Sequence, residues 1–160
     1  MRERILILPL LAAIAVTAGI EPKVTYRFDP EKFRDSSQLV VHVALPEGWH
    51  IQSQAPLDSF LIPTVLKAES KGLLFGSPVY PSPVEENFPA LGGKVALFQG
   101  EFDVRIAAKR LESVARRDKL MAPDSVKVIL RYQACNHTQC LPPREVTAIA
   151  APPNRIPSLQ

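Results

Sequence analysis

From Val126 to Tyr132 the apolar and polar positions alternate along the chain. Val126, Val128, Leu130 and Tyr132 share one side, Lys127 and Arg131 share the other, and Ile129 is the one apolar residue out of step. That period of two predicts a strand with one face buried. Shorter runs of the same kind recur. Val24 to Phe28 alternates and ends at Asp29-Pro30, and Gln38 to Leu45 is a valine-rich run suited to a strand partly covered on both faces. Pro46-Glu47-Gly48 turns the chain into Trp49-His50-Ile51, where the only tryptophan is expected to anchor the core. Thr64 to Glu69 reads as a further strand, and Arg144 to Ala150 as the last one, through Val146 and Ile149. Lys94 to Phe98 and Glu101 to Ile106 read as a hairpin through Gln99-Gly100. Between Gly76 and Leu91, Pro78, Pro81, Pro83 and Pro89 predict an extended, semi-rigid loop, apolar enough to pack under the domain or to cover something. Ala107 to Met121 has a partial helical stripe (Leu111, Val114, Ala115) that breaks at Asp118, so a short helix or an irregular excursion is expected there. Eight or so short strands with little helix predict an all-β fold, a β-sandwich.

The first residues change the picture from a fold to an address. Arg2 and Arg4 precede an apolar run from Ile5 to about Ala15 and a small-residue exit at Val16-Thr17-Ala18, the three-part pattern of a secretory signal peptide. We therefore expect a signal over residues 1–18, a domain over 19–150 and a flexible tail over 151–160, in an oxidising compartment outside the cytoplasm. An uncleaved anchor is the alternative, since the apolar count reaching Ile20 nears the lower limit for a membrane span. No other stretch is apolar enough to span, so no stable membrane insertion is expected after cleavage. The net charge of +3 falls to +2 when two positive residues and one negative one leave with the signal, which is no nucleic-acid or membrane-surface signature. The basic cluster Lys109-Arg110 and Arg116-Arg117 is interrupted by Glu112 and Asp118 and reads as a solvated face.

The chemistry concentrates in Arg131 to Pro143, which holds the only two cysteines, Cys135 and Cys140. Four polar residues, Asn136-His137-Thr138-Gln139, form a loop of hairpin length, and reversal there brings the two thiols to disulfide distance. As a staple the bond is badly placed, because closing a six-residue loop stabilises by only about 2 kcal/mol in the loop-entropy model, against nearly 5 for a long loop. A domain of 160 residues also buries enough core to fold without it. Short-loop disulfides tend toward the more reducible potentials of exchanging pairs, which favours a redox role. Two alternatives stay open. One is an interaction domain with a structural disulfide, docking a partner through the edge that Pro142 and Pro143 leave unpaired. The other makes Cys135, His137 and Cys140 soft ligands for copper or zinc, although structural zinc wants a fourth ligand that the chain does not pair with them. No cofactor or resident metal is expected. His137 otherwise reads as a solvated loop residue or a tuner of thiolate pKa. His42 reads as a satisfied sheet histidine. His50 is chemically able to act as a base, but nothing in its local sequence pairs it with a nucleophile.

Several motifs in order resemble one known family. These are Gly48-Trp49-His50-Ile51, Ala55-Pro56-Leu57-Asp58, Leu61-Ile62-Pro63-Thr64, Phe98-Gln99-Gly100-Glu101, and above all Tyr132-Gln133-Ala134-Cys135 with Cys140-Leu141-Pro142-Pro143. Together they resemble the N-terminal periplasmic domain of the thiol:disulfide interchange protein DsbD, the disulfide bond corrector domain, over about Pro22 to Ala150. The resemblance implies an immunoglobulin-like β-sandwich whose pair, Cys135 and Cys140, carries reducing equivalents. It implies a membrane-embedded donor that reduces the pair, and periplasmic acceptors such as disulfide isomerases and thioredoxin-like proteins of cytochrome c maturation. It also implies a cap loop with a shielding residue, for which Phe88 and Leu91 are the candidates. By the same analogy Cys140 makes the intermolecular bond and Cys135 resolves it. Two departures stand out: some members have one more residue between the cysteines, and full-length members continue into membrane and thioredoxin-like domains, so a separate membrane protein is the expected donor here.

Overall fold

The computed structural model describes residues 20–29, 36–88, 93–110 and 125–150. Eleven strands run in order through them: β1 (Lys23–Phe28), β2 (Ser36–Ala44), β3 (His50–Gln52), β4 (Val65–Glu69), β5 (Leu73–Val79), β6 (Val84–Phe88), β7 (Gly93–Gln99), β8 (Glu101–Arg110), β9 (Val126–Tyr132), β10 (Ala134–Cys135) and β11 (Arg144–Ala150). They form three antiparallel sheets. The first has the order β1-β2-β8-β5, the second β10-β3-β7-β6 and the third β11-β9-β4. The first sheet packs across the core from the other two, as the expected all-β, immunoglobulin-like β-sandwich.

Strand alternation decides which residues meet in the core. On β2, Leu39, Val41 and Val43 turn inward, and on β8 Val104 and Ile106 do the same. They face Leu66 of β4 and the full run Val126, Val128, Leu130 and Tyr132 of β9, whose alternation the sequence displays openly. Ile51, Phe98 and Ala134 of the second sheet close the same cluster. Each fully buried aliphatic side chain here contributes about 1.5–3 kcal/mol, so this cluster dominates the stability of the domain. Trp49 packs on the rim of the cluster rather than at its centre.

Three sequence expectations are corrected. Gly76 to Leu91 is not one proline-rich loop, because Gly76–Val79 completes β5 and Val84–Phe88 is β6. Proline is tolerated in β5 because that strand lies at the sheet edge, and its ladder shifts register between Phe75 and Pro78. β7 and β8 do not form a hairpin. β7 pairs with β3 and β6, β8 pairs with β2 and β5, and the chain crosses between sheets at Gly100, which adopts φ 62° and accepts a hydrogen bond from the Leu45 amide. Ala107 to Arg110 extends β8 instead of starting a helix, while 111–124 lies outside the described residues. The signal over 1–18 and the tail over 151–160 lie outside them as well. Among the described residues no helix is long and apolar enough to cross a membrane.

Candidate functional site

The site begins with one change of direction. β9 ends at Tyr132, and the chain moves at Gln133 from the third sheet to the second, where Ala134 and Cys135 form the short edge strand β10 against β3. Successive strand residues point to opposite faces. Ala134 therefore enters the main core, and Cys135, its neighbour, lies on the outer face of the second sheet.

Cys135 is bonded to Cys140 with their Cα atoms 4.0 Å apart, and the two residues also form an isolated antiparallel bridge. The loop between them is held from inside. Asn136 Oδ1 accepts hydrogen bonds from the Thr138 amide, the Thr138 hydroxyl and the Gln139 amide, each at 2.9 Å. The Asn136 amide donates to the Gln139 carbonyl at 2.9 Å, so one asparagine fixes the reversal. Outside the loop, the Leu141 amide donates to the Ala134 carbonyl at 2.8 Å and Gln133 Nε2 donates to the Leu141 carbonyl at 3.1 Å. The two sulfurs sit in unequal surroundings: Cys135 is 1% exposed, whereas Cys140 is exposed to solvent.

The outer face of the second sheet carries more than the cysteine. Following the register outward from Cys135, the same face presents His50 on β3, Gln99 on β7 and, further along, Gln52, Leu97, Val95, Glu86 and Phe88. Leu61 from the β3–β4 loop joins Phe88, Val95 and Leu97 in a second apolar cluster that covers this face. That loop is strapped down by three contacts: the Ser53 amide donates to Ala96 at 2.8 Å, the Thr64 amide donates to Ser53 at 3.1 Å, and the Thr64 hydroxyl donates to the Gln52 carbonyl at 2.5 Å. Phe88 lies between two imidazoles, stacked on His137 at 5.6 Å and tilted against His50 at 5.1 Å. It thus rests on the loop between the cysteines. Leu91, the other candidate shield, lies outside the described residues. A cleft of about 320 Å³ opens beside the stack, lined by residues of the Pro46–His50 turn with Glu86, Gln99, Gly100 and His137.

The three histidines are thereby sorted. His42 sits on β2 with Nδ1 3.0 Å from Asp103 Oδ1, a sheet histidine with a partner, as expected. His137 is exposed but stacked, not merely solvated. His50 is the residue whose surroundings the local sequence did not show: it is buried at 5% exposure and is the register partner of Cys135. The signal that could have found it is β-sheet pairing across 85 positions, which no local motif carries. Burial holds the His50 pKa below 6.5, opposed by the Glu86 carboxylate and reinforced by His137. Among the described residues, no group of three or more His, Cys, Asp or Glu side chains is arranged to hold a metal ion.

The family model described as "Thiol:disulfide interchange protein DsbD, N-terminal" matches residues 18–152. Among solved structures, the Neisseria meningitidis DsbD N-terminal domain in the reduced form is similar at 17% identity, with 73% of this chain and 77% of that chain covered and a TM-score of 0.44. The N-terminal periplasmic domain of ScsB from Proteus mirabilis is similar at 14% identity and a TM-score of 0.50. There the match covers 82% of this chain and about half, 47%, of that one. Comparison with curated protein sequences finds no match.

The depressed pKa of His50 has a consequence for stability. Its imidazole stays neutral in the fold and takes up a proton more readily in the unfolded chain, so its contribution is retained above 6.5 and lost as pH falls through and below that value. Urea midpoints should therefore fall between pH 7.5 and 5.5 in the wild type, and fall less in His50→Gln. An equal decline in both would contradict this assignment.

Proposed function

The chain belongs to the DsbD N-terminal domain family, and from that membership and its bonded cysteine pair we propose that Cys135 and Cys140 pass reducing equivalents between partner proteins. The observation that carries this reading is the asymmetry of the pair, with one sulfur offered to solvent at a sheet edge and the other buried behind it. An exchanging pair needs one sulfur that an incoming group can reach and a second held within reach of the first.

In the reducing direction, the Cys140 thiolate attacks one sulfur of a target disulfide, and the target's other sulfur leaves as a thiolate. Cys135, as thiolate, then attacks Cys140 Sγ. The intermolecular bond breaks, the target leaves with both sulfurs reduced, and the Cys135–Cys140 bond forms with the loss of two electrons from this domain. A donor restores the dithiol by the same steps in reverse. The acceptors we propose are thioredoxin-like or disulfide isomerase proteins, those of cytochrome c maturation among them. The donor we propose is a membrane-embedded partner, and the compartment the periplasm, reached through a signal over residues 1–18. Family membership and the periplasmic setting of the ScsB domain support that placement.

Phe88 is proposed as the shield. Its ring, 9% exposed, rests on His137 between the cysteines and against His50, the register partner of Cys135, so it is proposed to cover the buried half of the pair while Cys140 stays open to solvent. Such a cap protects a dithiol from small oxidants in an oxidising compartment.

Two experiments test this reading. Reduced Cys135→Ser, mixed with a thioredoxin-like protein whose single remaining active-site cysteine carries a disulfide-linked thionitrobenzoate, should release thionitrobenzoate and accumulate a long-lived intermolecular disulfide through Cys140. Cys140→Ser should not, because its remaining thiol is buried. Equal trapping by both variants, or by neither, would move the structural-disulfide reading to first place. In the reduced protein, Phe88→Ala should raise the rate at which iodoacetamide alkylates Cys135 severalfold, and an unchanged Cys135 rate would remove Phe88 from the cap.

A further inference from the structure

The outer face of the second sheet buries a polar group that the exchange steps above leave without a task. His50 is 5% exposed and, among the described residues, its Nε2 has no hydrogen-bond partner. Buried polar atoms are ordinarily paired, and an unpaired one is destabilising by about 1–3 kcal/mol, so its retention calls for a reason. Directly opposite in the ladder stands Cys135, on the same face. Antiparallel partners hold their Cβ atoms about 4.5–5.5 Å apart, within reach of an imidazole and a thiol.

Cys135 has a complementary difficulty. At 1% exposure its thiol is shielded from bulk water, and apolar burial disfavours the thiolate that must attack. The resolving step therefore needs a nearby acceptor for the Cys135 proton. We propose that His50 is that acceptor, taking the Cys135 thiol proton on Nε2 as Cys135 attacks the mixed disulfide at Cys140. This deepens the exchange reading and rests on it.

The step balances. In the Nδ1–H tautomer, Nε2 offers a lone pair. The S–H bond of Cys135 breaks, N–H forms on Nε2, and the sulfur's electron pair makes the new bond to Cys140 Sγ. The bond between Cys140 and the target breaks, and the target leaves as a thiolate. Imidazolium then returns its proton to the departing thiolate or to solvent. The surroundings fit both halves of that cycle. Burial and His137 keep His50 neutral and ready to accept, while Glu86 from β6 steadies the cation that forms. The groups facing this imidazole are Cys135 from β10, Gln99 from β7, Glu86 and Phe88 from β6, His137 from the inter-cysteine loop, and Glu47 across the cleft. Of these only Glu47, Glu86, His137 and Cys135 titrate.

Stopped-flow reaction of the reduced protein with one equivalent of 5,5′-dithiobis(2-nitrobenzoate) separates the steps. Attack by Cys140 releases a first thionitrobenzoate, and resolution by Cys135 releases a second. With His50 as acceptor, the second phase of the wild type should be nearly flat from about pH 8 to about pH 6.5, whereas in His50→Gln it should fall about tenfold per pH unit, following the thiolate fraction. The first phase should be alike in both. Matching profiles for the second phase, or slowing of both phases together in the variant, would overturn the assignment by reducing His50 to a structural role. If His50→Gln does not fold, the wild-type profile decides alone, since a tenfold-per-unit slope there overturns it too. A wild type that releases only one equivalent would overturn the exchange reading itself, and this inference with it.

Discussion

Everything distinctive about this domain follows from the period-two alternation of a strand at one pair of residues. Ala134 and Cys135 are adjacent, so they cannot share a face. With Ala134 in the main core, Cys135 must lie on the outer face of the second sheet. The large cluster on the other side fixes the register, because a one-residue slip would put Cys135 into that core and turn Ala134 out. The bulk of the hydrophobic burial in the molecule thus serves to hold one sulfur at a sheet edge, under a thin second layer of Leu61, Phe88, Val95 and Leu97.

That thin layer is what lies over the cysteine proposed to resolve the mixed disulfide. The main core is enclosed by three sheets, but the outer layer is one strapped loop, one aromatic ring and a four-residue hairpin tip. Asn136 keeps the tip itself rigid, with three hydrogen bonds to its side-chain oxygen. Exposure of Cys140 and burial of Cys135 are then properties of the hairpin, with Phe88, the proposed shield, resting on its tip.

The strands with plain alternation were legible in the sequence, and β9 most of all, because nothing in Val126 to Tyr132 competes with the pattern. The cysteine hairpin was legible too, as every constraint on it is local. Three things were not. Gln99-Gly100 carries a turn signal, but a turn signal gives a change of direction and not the sheet in which the next strand is placed. The prolines of 76–91 read as a loop because a central strand would reject them, whereas an edge strand with a register shift accommodates Pro78. His50 was set aside because its partner lies 85 residues away, and sheet pairing over that distance depends on the whole core. The residue that the local reading set aside is the one the fold places opposite Cys135 in the ladder.

The central claim is that the Cys135–Cys140 bond exchanges electrons rather than staples the fold. The most direct measurement is the reduction potential of the pair in the purified domain, by equilibration in glutathione or dithiothreitol buffers with mass-spectrometric counting of thiols. The account predicts a value among those of redox-active pairs, roughly −120 to −270 mV. A value below about −300 mV, the range of structural disulfides, would contradict it.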